Sequence, residues 1–572
     1  MNWQNLKLFF STLFSFDDKY PLLFTQFYFW VFFALVFAGL ALLQKKILLR
    51  NVFLFFVSLF FYYKTSGLFV ILLIFTTLNC FYAGKKIDAT DIVAKRKRYL
   101  FLGLFVNLFV LAYFKYAYFF TELYNTTFQT DYTVINYFAQ WANEISNTQR
   151  FDAGRILLPV GISFYTFQSI SHIIDVYRRK INHIPNILNF GFFVSFFPGL
   201  VAGPIIRAHQ FMPQMYKKYF LSRRQFGIAV FWILNGLLKK LILSDYLAVN
   251  FVDRVFDNPG LFTAFENLSA LFFYSLQVYA DFSGYTDIAI GVAMLMGFYL
   301  PTNFNSPYKA KNPGEFWKRW HISLSTWLKD YLYIPLGGSK KGKIRTQFNL
   351  MLTMLLGGLW HGASWNFVIW GGLNGLGILI FKWWKNCTHR QKTVYTSVLF
   401  AIFLSLQLVF SKPVFMIGAV WTGIIFIGTT INYGYSCFLK LKQIGWLTRS
   451  WSIFLTFVFI TFTRLFFRSG SNLDPVEANA TAWNTAKSMV NQIGGKWDYA
   501  LIPQIVATYK YIFILFLLGM FIHWLPSRWK RKYRLGFALL PLPLIAVLTI
   551  ITVFIVYQFI TADLQPFIYF QF

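Results

Sequence analysis

Apolar runs follow one another from end to end of this chain, separated by short polar breaks that carry most of its charge. Many of the runs at 26–44, 51–63, 66–80, 99–120, 186–202, 226–245, 268–300, 363–382, 394–410, 414–430, 450–467, 508–522 and 535–560 are long enough, or nearly so, to cross a bilayer as helices. Their hydrophobicity is continuous rather than alternating, which argues against a transmembrane β-barrel. The pattern predicts an all-α, polytopic helical membrane protein with roughly 11 to 14 buried segments.

The pattern changes along the chain. Residues 1–120 read as a plain hydrophobic array. Residues 121–151 are polar, and the stretch VINYFAQWANEI within them predicts a short helix lying at the membrane surface. Between 152 and 375, glycine, proline, serine and charge interrupt the apolar runs, as in LLPVGISFYTFQSISHIIDVYRR and FFPGLVAGPIIRAHQF. Broken helices at membrane depth survive only where protein or a water-filled cavity surrounds them, so this part is expected to build the interior. A polar insertion at 469–507 predicts a short amphipathic helix outside the bilayer. With no repeat and no low-complexity linker, the expectation is a single membrane domain, 1–572. It would comprise N-terminal helices and an outer loop (1–150), a core able to carry chemistry (151–380), and C-terminal helices with the insertion (381–572).

Composition agrees, since 57% of the 572 residues are hydrophobic and only 13% are charged, too few to cover a soluble protein of this size. The net charge of +32 comes in clusters between apolar runs: Lys45, Lys46 and Arg50; Lys95 to Arg98; Arg178 to Lys180; Lys340 to Arg345; Arg528 to Arg534. That is the signature of cytoplasmic loops facing anionic membrane lipids, and it removes the nucleic-acid reading. The 121–151 loop, with Glu122, Asp131 and Glu144 against Arg150, belongs on the outer side, which places the 85–98 loop inside. Asp17 and Asp18 precede the first apolar run with no cleavage site, so that run reads as a retained helix. Three cysteines are too far apart in sequence for a disulfide framework or a metal site.

The sharpest chemical signal is His361, in LTMLLGGLWHGASWNFVIWGGLNGLGILI, where no other residue carries charge. Burying an imidazole there costs free energy unless it is paired or used. A neutral imidazole is a free base and suits proton abstraction from a hydroxyl. Gly357, Gly358 and Gly362 leave backbone open around it, and Trp360 and Trp365 are expected to wall a pocket. A structural histidine, hydrogen-bonded across helices, would fit the residues as well.

His321 lies in NPGEFWKRWHISLSTWLKDYLYIPLG, 312–337. Asn312 can cap, Pro313 suits a first turn, and Phe316, Trp320, Leu324 and Trp327 recur at helical spacing. One amphipathic helix lying in the interface is predicted, ended by Pro335 and Gly337–Gly338. Asp281, Ser283, Tyr285 and Asp287 place acids and hydroxyls inside the 268–300 run. They are either functional or structural, fastened to Arg319 or Lys318. His172 and Asp175 beside Arg178 read as structural, near the inner surface. No HExxH or similar cluster supports a metal site, and the glycine-rich GGSKKGK stretch lacks the phosphate-loop pattern.

Five stretches together resemble the membrane-bound O-acyltransferase family: LPVGISFYTFQ (158–168), FFPGLVAGPIIR (196–207), QVYADFSGYTDIAIG (277–291), NFNSPYKAKNPGEFWKRWHISLSTWLKDYLYIPLGG (303–338) and GGLWHGASWNFVIWGGLNG (357–375). They look most like its bacterial alginate O-acetyltransferase branch, a cousin of the teichoic-acid D-alanyl transferase. FTRLFFRSGS (462–471) resembles a late-helix stretch of that branch.

The resemblance implies a ring of tilted and re-entrant helices around a tunnel. An acyl thioester, acetyl-CoA or another, would enter from the cytoplasm and an acceptor hydroxyl from the other side. It matches the family histidine to His361 and a second polar position to His321. It leaves Trp360, Asn374, Asp281, Ser283, Tyr285, Asp287, Trp317, Arg319 and Trp320 as tunnel lining or polar core, with no metal. Trp360, Asn374 and glycine N–H groups are the donors on offer for an oxyanion.

The expected activity is O-acetylation of an exported or cell-surface polysaccharide at the bacterial inner membrane, beside a periplasmic or anchored esterase-like transferase. Other acyl transfers stay open: D-alanine brought by an acyl carrier protein to bases such as Lys340, Lys341 and Lys343, or a lipid or cell-wall sugar acceptor. So do a transporter and a non-catalytic scaffold. The 469–507 insertion and the first 25 residues look additional to a minimal family core and bear on the acceptor.

Overall fold

The computed structural model describes residues 16, 21–147, 151–437, 445–468 and 475–559. Among them every element is helical. Eight helices are long and apolar enough to cross a membrane: Ile47–Asp88, Val93–Phe128, Arg223–Asp257, Trp365–Trp384, His389–Phe410, Pro413–Ser436, Gly445–Arg468 and Leu542–Phe559. A ninth forms if Tyr499–Thr508 and Lys510–Trp524, bent by 83°, count together. The chain is therefore an all-α polytopic membrane protein, and among the described residues fewer helices pass this test than there are apolar runs. Two causes are local. The run at 186–202 breaks into Ile187–Ser195 and Phe197–Leu200, with Pro198 in the second helix. The run at 26–44 yields the 17-residue helix Phe27–Leu43.

The chain divides into two compact units. The first comprises 1–238, 283–303 and 530–558. Val70–Asp88, Val93–Leu111 and Ile162–Tyr177 pack together, and Ile47–Ser66 packs on Ile187–Ser195. Its apolar centre is phenylalanine-rich: Phe24, Phe29, Phe61 and Phe197 are all almost fully buried and in ring contact. The buried Arg50 is satisfied by Asn51 Oδ1 at 3.0 Å and the Met215 carbonyl at 2.6 Å. His172 is fully buried, its ring 5.5 Å from that of His183 and 4.7 Å from Phe190, and Asp175 lies 4.0 Å from both Lys180 and His209. Asn136 caps the helix Tyr137–Ser146 within the VINYFAQWANEI stretch.

The second unit comprises 239–282, 304–529 and 559–572. Helices Lys343–His361 and Trp365–Trp384 form a hairpin, as do His389–Phe410 and Pro413–Cys437. Gly445–Arg468 packs against Trp365–Trp384. The insertion carries the helix Pro475–Ile493, whose Ala482, Ala486, Met489 and Ile493 form one buried stripe, the amphipathic character expected of it. Residues 469–474, the aromatic tail from Phe567 to Phe572, and most of the first 25 residues lie outside the described residues.

Candidate active site

His361 is the last residue of the helix Lys343–His361, and two glycines explain how it is held. Gly358, one turn earlier, lies so close to the facing helix that a Cβ would sit 2.2 Å from the Phe367 carbonyl oxygen. Gly371 makes the reciprocal approach, with a Cβ 2.4 Å from the Met354 carbonyl oxygen. Only two residues without side chains let the hairpin close this tightly. The connection is tied down further: Ser364 hydrogen-bonds Asn366, and the Asn366 amide donates to the Phe466 carbonyl at 3.0 Å. The His361 ring is 2% exposed and lies among Trp360, Trp370 and Phe467 at centroid distances of 5.0, 5.1 and 5.5 Å.

The 312–337 segment is not one helix. Asn312 accepts from the Glu315 N–H at 2.8 Å and caps as expected, but the helix stops at Trp317. His321 then takes a left-handed backbone, φ 43° and ψ 57°, before a second helix, Ile322–Leu328, and the wide turn Lys329–Tyr333. A left-handed non-glycine residue costs about 1 kcal/mol, so tertiary packing must hold it. Trp320 and His321 are 2% and 0% exposed. The edge of the His321 ring meets Phe282 at 4.6 Å and 83°. The periodicity of Phe316, Trp320, Leu324 and Trp327 is therefore that of two short helices whose apolar faces happen to stay in register. Burial pushes the His321 imidazole down to about 3, so it is neutral at physiological pH.

The two histidines, forty residues apart in sequence, share one aromatic chamber. Their ring centroids are 6.4 Å apart at 65°, and Trp360 lies 5.9 Å from His321. Trp317 meets Trp370 edge-on at 5.5 Å. Trp365, expected beside His361, is 44% exposed, and Trp370 and Phe467 join Trp360 around the imidazole.

The acids lie elsewhere than expected. Arg319 donates to Glu315 on the same turn, at 2.8 and 3.0 Å, and to the Asn305 carbonyl. Asp281 pairs with Lys240 at 2.6 Å, and Lys240 also reaches Asp245 at 2.8 Å. Fastening of the acids to Arg319 or Lys318 is thus replaced by a buried cluster on the wide helical turn Leu238–Asp245. The other three residues of the run belong to the first unit. Asp287 accepts from Asn235 at 2.6 Å, Tyr285 stacks on Phe24 at 4.7 Å, and Ser283 is 1% exposed. The Asn374 amide donates to the Trp370 carbonyl on its own helix at 2.9 Å, with Thr463 at 3.5 Å. Among the described residues no group of three histidine, cysteine or carboxylate side chains is placed to hold a metal ion.

Lys240, Phe282, Arg464 and Phe467 escaped the sequence reading. The usable signal was charge inside apolar runs: Lys240 in 226–245 and Arg464 in 450–467.

Comparison with known proteins adds to this geometry. Residues 102–421 match the profile of MBOAT, the membrane-bound O-acyltransferase family. The chain is 41% identical over 335 residues to the probable alginate O-acetylase AlgI of Pseudomonas syringae pv. tomato, covering 58% of this chain and 61% of the relative. It is 34% identical over 395 residues to the peptidoglycan O-acetyltransferase of Helicobacter pylori, covering 64% and 71%. With the teichoic acid D-alanyltransferase of Bacillus subtilis it shares 28% identity over 246 residues, 41% of this chain and 61% of the relative. The match thus spans less than two thirds of the alginate relative's length.

Proposed function

Since the chain belongs to the membrane-bound O-acyltransferase family, we propose that it moves an acetyl group from a thioester donor to a hydroxyl of an exported or cell-surface polysaccharide. The observation that carries this reading is the pairing of His361 and His321 in one buried aromatic cluster, 6.4 Å between ring centroids. In the reaction, the acceptor oxygen attacks the thioester carbonyl while His361 takes its proton. The C–S bond then breaks, and the thiolate recovers that proton from the imidazolium, leaving an ester and a free thiol. The positive charge that His361 carries in between would sit at the carbonyl-rich end of the helix Lys343–His361, where a cation is favoured. Neutral His321 would orient the acceptor hydroxyl.

Aromatic walls that exclude water protect the thioester from hydrolysis and hold the two reactants together, a source of several kcal/mol of catalysis. The donor side is taken to be a cytoplasmic acyl thioester, acetyl-CoA in the simplest case. The membrane is taken to be a bacterial inner membrane, and a periplasmic or anchored esterase-like transferase would complete delivery to the polymer. The similarity to alginate and peptidoglycan O-acetyltransferases supports an acetyl group and a sugar acceptor.

The test is chemical analysis of the exported glycan from cells lacking the gene and from cells complemented with it. Base-labile acetate should vanish in the first and return in the second. Unchanged acetate with loss of ester-linked D-alanine would replace acetyl by D-alanyl, and no change in any ester would refute acyl transfer.

A further inference from the structure

Arg464, in the second unit, is a buried cation whose chemistry the transfer reaction above leaves unused. It sits in the membrane-spanning helix Gly445–Arg468, is 1% exposed, and lays its guanidinium over the Trp320 ring at 4.3 Å. Trp320 is the immediate neighbour of His321. Arg464 lies close enough to Tyr308 to interact electrostatically with its hydroxyl, whose proton goes to the Ser275 carbonyl at 2.5 Å. Among the described residues, the Arg464 Nε and Nη1 have no acceptor. The acids of the same interior are committed elsewhere: Asp281 and Asp245 to Lys240, and Asp253 to Arg468 at 2.9 Å.

A guanidinium carries five N–H donors in a rigid plane and stays charged. Buried without an acceptor on two of its nitrogens, it is costly, and an arginine inside a membrane helix marks a ligand path unless it is paired. Here the indole covers one face, and Nε–H and Nη1–H, which lie on different edges of the plane, each offer a single charge-assisted donor of the kind that holds carboxylate and phosphate oxygens. A neutral donor would suffice for a transient oxyanion. A permanent cation fits a permanent anion.

Resting on the acyl-transfer reading, we infer that Arg464 binds an anionic group of a bound reactant, beside His321, through a hydrogen on Nε or Nη1. The shared chemistry is an oxygen anion. Its two sources are a phosphate on the thioester donor's arm and a carboxylate on an acidic sugar acceptor.

The experiment uses the full-length chain in membranes and two reactant pairs matched except for charge. One pair is acetyl-4′-phosphopantetheine against acetyl-pantetheine; the other is an acidic oligosaccharide against its neutral methyl ester. The wild type should prefer the charged member of one pair by roughly ten- to a hundredfold in kcat/KM. Arg464→Gln should erase that preference by raising KM for the charged member alone, at unchanged kcat. Loss in the first pair assigns the phosphate, and loss in the second the carboxylate.

No charge preference in the wild type, or an equal loss for charged and neutral members in Arg464→Gln, overturns the inference. If Arg464→Gln does not accumulate, the wild-type preference decides alone. A second readout separates this claim from the reaction itself: thermal stabilisation of the detergent-solubilised protein by each unacylated probe. His361→Ala should keep the charge-selective stabilisation while losing turnover. An active His361→Ala would sink the transfer mechanism and leave the anion site to be judged on stabilisation.

Discussion

Adding one methyl group at Gly358 should disable the enzyme while the same change at Gly357 should not. A Cβ at 358 would lie 2.2 Å from the Phe367 carbonyl oxygen, against 3.4 Å for ordinary contact. The difference, 3.4 minus 2.2, is 1.2 Å of forced separation between two helices joined by a three-residue connection. The obstacle is backbone and cannot rotate away. His361 lies three residues on, so its ring moves with the helix. A misplacement of about 1 Å at a reacting group costs on the order of a hundredfold in rate.

At 357 the nearest atom is Leu328 Cδ1 at 3.1 Å, the end of a side chain that can turn aside. Alanine there also gains up to about 1 kcal/mol of helix propensity. The assay is initial rate of acetyl transfer in membranes, normalised to protein amount by immunoblot. Gly358→Ala should fall about a hundredfold and Gly357→Ala should stay near wild type. Equal activity of the two variants would refute the claim that the tight hairpin positions His361.

Other expectations follow from the same geometry. Lys240→Met strands two buried carboxylates and should cost about 3–5 kcal/mol, read as a drop in detergent thermal unfolding. Replacing Lys240, Asp245 and Asp281 together with neutral residues should recover most of that loss. Burial pushes His172 down to about 3 and His183 down to about 4 from an ordinary value of 6.5. Both are neutral in the fold but take protons when unfolded, so the stability they contribute is present above 6.5 and is lost as pH falls toward about 4 for His183 and about 3 for His172. His183→Phe should flatten that acid limb of thermal stability against pH, and an unaltered slope would contradict the assignment. At His321, asparagine tolerates the left-handed backbone and alanine does not. His321→Asn should therefore unfold at a higher temperature than His321→Ala, by about 1 kcal/mol, while both lose activity.

How much of this was legible in the sequence depended on range. The helical membrane class and the choice of His361 came from local contrast, a titratable ring in an otherwise uncharged run. The Asn312 cap and the amphipathic stripe of 482–493 are also local and came through. The break at His321 did not, because two short helices in register carry the same apolar spacing as one long helix. The Lys240–Asp281 pair and the Arg464–Trp320 stack join residues 41 and 144 positions apart, and no periodicity reports such partners. Which of the apolar runs cross the membrane was not legible, because hydrophobicity measures burial, and a buried interior segment is as apolar as a crossing one.

The central claim is that His361 takes the acceptor's proton. Initial rates of acetyl transfer from a labelled thioester to polymer, in membranes holding equal amounts of wild type and His361→Ala, test it most directly. Loss of a positioned base should lower the rate by about a hundred- to ten-thousandfold with the protein still folded. Transfer by His361→Ala at the wild-type rate would contradict the account.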